Sequence, residues 1–393
     1  MKKNFKSTIV KAAAISMSLA MLTGCGSKEN NGGGSGTATA AVTQTENKVT
    51  EEVTGTAPPT EEAPTQQVTE APADNTTPAG TEKVTEAPTQ VITKDQYKML
   101  SVEYKTKDLE STVDMTDITK IVFTEEGVTS VGKKEVRITD VNGRKTVTIT
   151  DKGKYLVSGT CSNGQIIINA DKDKDVRLVL NGLNLTCPDS AVIYGRQCDK
   201  LIITTISGTE NTLSVPNDIV YDDEEKKNPD ACIFVKDDLV FNGTGTLNIK
   251  AAKSEGIHST DSIKLVLGNI NVESGDRGIR GKKFIAVKEA KINIKSDADA
   301  LRTTAEDDPE KGYIVIQGGS ISIETTSEGI QATGDIQITG GTLDISASGK
   351  KSNAMKSDRA VYIENATVTV SSEDSIKANM GVLAAEGTIK VKG

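Results

Sequence analysis

The sequence has 393 residues, a formal net charge of −9, one histidine (His258) and no tryptophan. The acidic balance argues against a nucleic-acid-binding protein, because neutralising phosphates requires a surplus of lysine and arginine. Without tryptophan, flat aromatic binding platforms must be built from seven tyrosines and five phenylalanines. Charge, hydrogen bonds or a metal ion are therefore the favoured means of recognition.

The first residues have the pattern of an export signal. Four lysines precede an apolar run, residues 12–22, that is too short to span a bilayer. The Leu22-Thr23-Gly24-Cys25 that ends it resembles the bacterial lipobox, which implies cleavage before Cys25 and a diacylglycerol on its sulfur. We predict a lipoprotein signal peptide over 1–24 and a lipid anchor on the extracellular face of the bacterial membrane. The alternative is a soluble secreted protein with a chance cysteine.

Residues 25–90 are low in apolar content and rich in Thr, Pro, Gly and Glu, with the recurring segments TEEAPT, TEAPA and TEAPT. Such a composition cannot bury enough apolar surface to offset the entropy lost on ordering. We therefore predict a disordered, flexible linker here. The folded domain is predicted to occupy residues 91–393, with 91–145 as a cap or lead-in to its first regular coil.

A short pattern recurs through the C-terminal half: a polar or acidic residue, a tiny residue, an apolar residue, then a long polar one. Its apolar positions are spaced by 22, 22, 29, 25 and 21 residues, and they are Ile257, Ile279, Leu301, Ile330, Met355 and Ile376. Earlier copies align on Ile233, Ile193 and Ile167, with spacings of 24, 40 and 26. One supersecondary unit is therefore repeated, with insertions in two places.

Each unit has three brief apolar stretches, as in Leu247 with Ile249, then Ile257, then Ile263 with Leu265. Their period of two puts the apolar side chains on one side of each strand, and hairpin signals between strands are scarce. Three strands per coil wound around one core predict an all-β parallel β-helix. A leucine-rich repeat would need an Asn ladder consensus, and propeller blades need longer units. The tiny residue is expected to allow a tight turn.

The residues flanking the apolar position are expected to point outward and form columns along the axis. Two residues before it stand Glu255, Arg277, Asp299, Glu328, Asn353 and Asp374, with Asp276 beside Arg277. Just after it stand His258, Arg280, Arg302, Gln331, Lys356 and Lys377. Stacked carboxylates repel unless lysine, arginine or a hard cation compensates. Calcium suits such oxygen-rich turns, and a second acidic cluster is Glu306, Asp307 and Asp308. The alternative is a set of solvated turns whose charges cancel.

Four further cysteines, at positions 161, 187, 198 and 232, do not have the spacing of a zinc site. Cys161 and Cys187 are 26 residues apart, close to the repeat length, so they could stack on neighbouring coils. Both a disulfide and a pair of buried thiols are consistent with this spacing.

Several motifs, among them YLVSGTCSNGQIIINA, VRLVLNGLNLTCPDSAVIYG and ACIFVKDDLVFNGTGTL, resemble a bacterial family of carbohydrate-binding β-helix lipoproteins. The resemblance runs from about Thr146 onward. It implies a right-handed parallel β-helix similar to pectate lyases, bound calcium, and affinity for plant-type polysaccharides. The matched KDDL segment adds Asp237 and Asp238 to the candidate calcium ligands Glu255, Asp276, Asp299, Glu328, Asp307 and Asp308. Arg277 and Asn353 depart from the acidic pattern.

The leading hypothesis is a polysaccharide-binding protein for acidic plant polymers such as pectin or polygalacturonate, or for β-glucans. Calcium would bridge carboxylates of protein and sugar, and the direct contacts would come from His258, Arg280, Arg302, Lys356 and Lys377. The alternatives are a calcium-dependent pectate-type lyase and a non-catalytic surface protein or adhesin. The sequence ends within a predicted strand, EGTIKVKG, so we expect a truncated chain or a partner at that end.

Overall fold

The computed structural model describes residues 92–306, 308–384 and 386–392. Within them, no helix is long and apolar enough to cross a membrane. There is a 3-10 turn at Lys94–Gln96 and one short helix, α1, at Thr106–Leu109. The strands in chain order are β1 (Thr119–Phe123), β2 (Val128–Val131), β3 (Arg137–Val141), β4 (Arg144–Ile149), β5 (Gly153–Cys161), β6 (Gly164–Asn169), β7 (Asp175–Thr186), β8 (Ile193–Gln197), β9 (Lys200–Thr205), β10 (Glu210–Val215), β11 (Ala231–Val235), β12 (Asp238–Gly243), β13 (Thr246–Ala251), β14 (Glu255–Ser259), β15 (Ser262–Leu265), β16 (Asn269–Ser274), β17 (Ile279–Gly281), β18 (Phe284–Val287), β19 (Lys291–Ser296), β20 (Leu301–Thr303), β21 (Tyr313–Ile316), β22 (Ser320–Thr325), β23 (Ile330–Ala332), β24 (Ile336–Ile338), β25 (Thr342–Ala347), β26 (Asn353–Ser357), β27 (Ala360–Ile363), β28 (Ala366–Ser372), β29 (Asp374–Ala378), β30 (Gly381–Ala384) and β31 (Gly387–Lys392).

Each strand of a coil pairs in parallel with the equivalent strand of the next coil, so the strands build three faces around one axis. The first face consists of β4, β6, β8, β11, β14, β17, β20, β23, β26 and β29, with β3 antiparallel at its edge. The second face consists of β9, β12, β15, β18, β21, β24, β27 and β30. The third face consists of β10, β13, β16, β19, β22, β25, β28 and β31. This is the predicted parallel β-helix.

Near the start of the solenoid, the second and third faces are one sheet that bends. The first half of β7 pairs with β9, and its last residues, Asn184–Thr186, pair with β10. Gly182 lies between the two halves with φ +68°, a conformation that residues with a Cβ rarely adopt. β5 pairs along β7, β1 pairs with β5, and β2 is antiparallel to β1. At the corner between the second and third faces, the long strands β5 and β7 therefore continue where later coils have a loop.

The observed register confirms the repeat alignment from Ile193 to Ile376, including Ile257 against Ile279 and Ile279 against Leu301. The alignment of the earliest copy is wrong, because Ile166 and not Ile167 pairs with Ile193. Ile166 points into the core, whereas Ile167 packs in a separate cluster outside the sheet. A run of three isoleucines gives the sequence no signal to distinguish the inward side chain.

The core is continuous along the axis, and side chains such as Ile257, Ile279 and Leu301 are fully buried in it. Burying one such side chain contributes about 1.5–3 kcal/mol relative to leaving it exposed. Strands of the third face, such as β22 and β25, alternate strictly between buried and exposed residues. Strands β9 and β14 bury every residue. On these strands of the first two faces, the outward residues are therefore covered by other groups.

The residue before each apolar position is small because neighbouring atoms leave little room for a side chain. It does not adopt an unusual backbone conformation, so the prediction that it allows a tight turn is wrong. Neither Gly256 nor Gly278 has a φ in the left-handed region. A Cβ at Gly256 would lie 2.3 Å from a methyl of Val272 and 2.7 Å from the carbonyl oxygen of Gly278. The equivalent position is alanine at 300 and 354 and serine at 375, so other coils leave room for a small side chain there.

Residues 92–117, which we call the strap, run along the second face before the chain enters β1. The backbone N–H of Ile92 donates to the carbonyl of Met380 (3.1 Å), and the Tyr97 ring stacks on Tyr362 with centroids 4.8 Å apart. Asp108 is fully buried, and its two oxygens accept hydrogen bonds from Lys200 (2.7 Å) and Lys264 (2.9 Å). The strap thus contacts both late and early coils.

The four cysteines in the described residues, Cys161, Cys187, Cys198 and Cys232, are all buried and free. Of the two arrangements that the spacing allowed for Cys161 and Cys187, the structure shows thiols. Burial raises the pKa of the Cys187 thiol, which disfavours the reactive thiolate.

Candidate functional site

One outward column on the first face changes from aromatic to charged along the axis. Its members are in register on successive coils: Tyr194, Phe234, His258, Arg280, Arg302, Gln331, Lys356 and Lys377. Tyr194 meets Phe234 edge to face at 5.6 Å, and Phe234 meets His258 in the same way at 5.0 Å. The repeat pattern predicts the column from His258 onward but not its aromatic beginning, although Tyr194 and Phe234 directly follow aligned isoleucines.

The insertion between Ile193 and Ile233 covers the aromatic part of the column. Its Val220 N–H donates to the carbonyl of Asp189 (2.8 Å), and Asp222 forms an ion pair with Arg196 (2.6 Å). Phe234 is fully buried outside the solenoid core, in a cluster with Ile167, Ala191, Tyr194 and Ala231. The insertion ends at Asp230, which lies beside the charged part of the column.

Asp230, Glu255 and His258 form a cluster around the Arg280 guanidinium. Asp230 Oδ1 is 2.6 Å from His258 Nδ1, and Arg280 Nε donates to Glu255 Oε2 at 2.7 Å. Arg280 Nη2 donates to the second oxygen of Asp230 and lies 3.0 Å from His258 Nδ1. The three potential ligand groups of Asp230, Glu255 and His258 lie within 4.8 Å of one another, so they are a candidate metal site.

The two carboxylates of this cluster differ in their electrostatics. Burial disfavours ionisation of Asp230, but hydrogen bonds and charge from His258 and Arg280 outweigh it and lower the pKa of Asp230. Glu255 is only 2% exposed, and burial raises its pKa, with Asp230 adding to the rise and Arg280 opposing it. The short Asp230 contact favours the tautomer in which His258 Nδ1 carries the proton, which leaves Nε2 as an acceptor.

A second network continues the column on the next coils. Asp299, 3% exposed, accepts from Arg302 (2.5 Å) through one oxygen and from Ser327 Oγ (2.6 Å) through the other. Arg277 Nη1 donates to Glu255 (3.0 Å), and Lys356 donates to Glu328 (3.0 Å). Burial opposes ionisation of Asp299, but the hydrogen bonds from Ser327 and Arg302 lower its pKa. Each buried carboxylate is therefore matched by a cation from the same or a neighbouring coil.

The remaining predicted residues lie apart from this network or at its edge. Asp276 is 42% exposed and 3.6 Å from Arg277. Lys377 is exposed on the last coil, and Asp308 pairs with Lys311 in an exposed loop. Asp307 and Cys25 fall outside the described residues. Asp230 is not among the predicted site residues. The signal available for it in the sequence is its position at the end of the insertion, directly before the aligned ACIF segment.

Asp237 and Asp238 lie elsewhere, at the corner between the first and second faces, where they meet Asp261 and Asp199. Ser262 Oγ donates to Asp238, and Lys283 donates to Asp261 (2.6 Å). Burial raises the pKa of Asp237, Asp261 and Asp199, and neighbouring carboxylates add to the rise in each. We call Asp199, Asp237, Asp238 and Asp261 the carboxylate corner.

The two candidate metal sites differ in how well they fit a hard cation. Around Glu255, the Arg280 guanidinium already donates to both carboxylates, so a metal ion would have to displace it. That site would also contribute an imidazole, which suits transition metals better than calcium. The carboxylate corner offers oxygen donors only, with Lys283 as the cation paired to it. The donor types of the corner, and not those of the cluster around Glu255, match the oxygen preference of hard cations.

The comparisons with known proteins agree with this architecture. A family model described as "carbohydrate-binding domain-containing protein" matches residues 143–393. A relative with the same description, from Acetivibrio thermocellus, is 32% identical over 155 residues, or 39% of this chain and 53% of the relative. The chain thus matches about half the length of that relative. A solved structure, described as a gadolinium derivative of the polysaccharide lyase-like protein from C. thermocellum, is similar with a TM-score of 0.58 and 29% identity over 70% of this chain and 99% of that one. The chain belongs to the family of carbohydrate-binding domain-containing proteins.

Proposed function

We propose that the protein binds a polysaccharide laid along the first face, parallel to the solenoid axis. The observation that supports this most directly is the column of Arg280, Arg302 and Lys356, each oriented by a carboxylate. Their side chains are 19%, 26% and 31% exposed, so they are held in place yet reachable. Coils repeat at about 4.8 Å, and a repeating ligand gains affinity from many weak contacts on a repeating surface.

We further propose that the ligand is an acidic polysaccharide such as polygalacturonate and that calcium assists its binding. Five permanent cations on this face, Arg277, Arg280, Arg302, Lys356 and Lys377, are matched by six carboxylates, Asp230, Glu255, Asp276, Asp299, Glu328 and Asp374. This surface has no surplus positive charge to attract a polyanion, so an additional cation is required. The carboxylate corner would hold it, since calcium takes roughly six to eight oxygen ligands.

Isothermal titration of the full chain with polygalacturonate, with calcium and then with chelator, tests this proposal. Arg302→Gln should weaken binding about tenfold, because a hydrogen bond to a charged group is worth about 1.5–3 kcal/mol. Lys295→Gln, on an exposed position of the third face, is the matched control and should bind normally. Chelation should abolish binding of polygalacturonate but not of a neutral β-glucan. Equal binding by the two variants would contradict the first-face site.

The calcium site has its own test in thermal melting. An ion that binds the folded state raises the melting midpoint by mass action. The rise should disappear in Asp261→Asn and persist in Asp230→Asn. The reverse result would move the ion to the cluster around Glu255, and no rise in the wild type would remove calcium from the proposal.

We also propose that the domain is displayed on the outer face of the membrane through a lipid on Cys25, with residues 25–90 as the tether. The domain begins with the strap, which fixes the start of the folded chain against the second face. Replacement of Cys25 with serine should release the protein from the membrane fraction into the medium. Retention in the membrane fraction would rule out the lipid anchor.

A second candidate function is a polysaccharide lyase, which the imidazole beside Asp230 favours. Elimination requires a base that removes the proton beside the uronate carboxylate while the glycosidic oxygen departs from the adjacent carbon. The Arg280 N–H groups already donate to Glu255 and Asp230, so His258 Nε2 is the available base. His258 is only 6% exposed, which makes binding the better-supported function. Ultraviolet-absorbing unsaturated product, absent in His258→Ala, would establish the lyase; no product from the wild type would exclude it.

A further inference from the structure

A cavity of about 360 Å³ lies on the second face beneath the strap, away from the charged column. Its roof is formed by strap residues 101–105, and its floor and walls by the starts of β9, β12, β15, β18 and β21. Its volume lies at the low end of the range for small-molecule sites, about 300–1,000 Å³.

One outward column forms the cavity floor and combines charged, hydroxyl and aromatic side chains, which are the types that bind sugars. In order along the axis it contains Lys200, Asp238, Ser262, Phe284 and Tyr313. The Phe284 and Tyr313 rings are parallel within 3° and 5.2 Å apart, and both are partly exposed. Parallel neighbouring rings make a flat apolar strip, which suits the face of a pyranose ring.

The polar part of the floor has hydrogen-bonding capacity to spare. Lys200 is 4% exposed, and among the described residues its ammonium, which has three N–H donors, meets one side-chain acceptor, Asp108. Asp238 and Asp261 carry several acceptor positions, of which Ser262 and Lys283 occupy one each. Donors and acceptors side by side at a cavity surface match the hydroxyl groups of a sugar.

The charges around the cavity balance. The cations are Lys105, Lys200, Lys264 and Lys283, and the anions are Glu103, Asp108, Asp238 and Asp261. Asp108 occupies the position between Lys200 and Lys264 that an acidic ligand would otherwise seek. The cavity therefore favours an uncharged ligand.

We propose that this cavity binds a neutral hexopyranose unit of a short oligosaccharide or of a glycan chain end. The sugar ring stacks on Tyr313 and Phe284, and its hydroxyls exchange hydrogen bonds with Lys200, Asp238 and Asp261. The cavity lies on a different face from the column of Arg280, Arg302 and Lys356, although it shares Asp238 and Asp261 with the carboxylate corner. It takes a neutral unit instead of an acidic chain, and its binding does not depend on Arg302.

The test is isothermal titration of the full chain with a panel of neutral tetrasaccharides built from glucose, xylose, mannose or galactose. At least one should bind saturably, and Tyr313→Ala should weaken it about tenfold, since stacking on an aromatic side chain and its hydrophobic burial contribute of order 1–2 kcal/mol. Tyr313→Phe keeps the ring and should restore most of the affinity. Tyr221→Ala, which removes a partly exposed tyrosine of the insertion, is the control and should bind normally.

The variants also separate this inference from the polymer site. Arg302→Gln should weaken the binding of polygalacturonate and leave that of the tetrasaccharide unchanged, and Tyr313→Ala should do the opposite. Circular dichroism and the melting midpoint check that Tyr313→Ala is folded; if it is not, Phe284→Ala replaces it. The proposal is overturned if no tetrasaccharide binds the wild type, or if binding survives both aromatic truncations.

Discussion

The first and third faces are built from the same parallel ladders, yet they treat their outward side chains differently. On the third face, Asn293 donates to Asn271 (2.7 Å), Asn271 donates to Asn248 (2.8 Å), and Asn248 donates to Glu210 (2.7 Å). Beside this ladder runs a column whose charges alternate in sign: Lys250, Glu273, Lys295 and Glu324. Both columns remain wholly or partly open to solvent.

The first face instead buries its charges. Glu255 and Asp299 are 2% and 3% exposed; Glu255 pairs with two arginines of the next coil, and Asp299 pairs with Arg302 of its own coil. Removing charges from water costs several kcal/mol per ion, which their pairing only partly returns. Stacking of coils does not demand this cost, because the third face stacks equally well without it. Because the third face stacks without them, the buried, interlocked charges of the first face are better explained by function than by folding.

The largest effect should come from breaking that buried network. Glu255→Ala leaves Arg277 and Arg280 without their shared carboxylate, and removing one partner of a buried pair costs about 3–5 kcal/mol. We expect about 3 kcal/mol, because both arginines keep some access to solvent. Urea denaturation of the two proteins measures the change in unfolding free energy.

The matched control is Glu273→Ala, which removes a carboxylate at an exposed position on the third face. Exposed ion pairs are worth about 0–1 kcal/mol, so its effect should be small. If the two substitutions cost the same, the first face would be no more than a solvated surface, and its assignment as a binding site would lose its physical basis.

The sequence predicts what the repeat determines and little else. The register of Ile257, Ile279 and Leu301 follows from their spacing, because equivalent residues of a solenoid must stack. The spacing does not reveal which coils are contacted by the segments that depart from the repeat. Asp230 reaches His258 from the end of an irregular insertion, and Asp108 reaches Lys200 and Lys264 from 92 and 156 residues away. Those contacts depend on the three-dimensional path of non-repeating segments, which periodicity does not encode.

A second, smaller effect should appear in the dependence of stability on pH. The pKa of Asp299 is lowered in the folded state, so its contribution is present above the unfolded pKa, about 3.9, and is lost as pH falls through the folded value. Wild-type stability should therefore decline below about pH 4. Asp299→Asn should be less stable at neutral pH and should show a shallower decline. Urea midpoints measured from pH 7 downward give both quantities.

Asp344 offers the corresponding control, because it is an exposed carboxylate on the third face, in the ladder between β22 and β25. Asp344→Asn should leave the acid-side slope nearly as in the wild type. A slope that changes equally in both variants would mean that Asp299 gains nothing from Ser327 and Arg302.

The smallest effect should come from the amide ladder itself. Asn271→Ala removes one hydrogen bond that Asn271 donates and one that it accepts, and a typical net value is about 1 kcal/mol per bond. Because Asn248 and Asn293 can turn to water instead, we expect a total loss of about 1 kcal/mol or less in urea denaturation. Polygalacturonate binding should not change, since no group of the first face is touched. A loss as large as that of Glu255→Ala would show that the third face is as tightly coupled as the first, and that burial of charge does not distinguish the two.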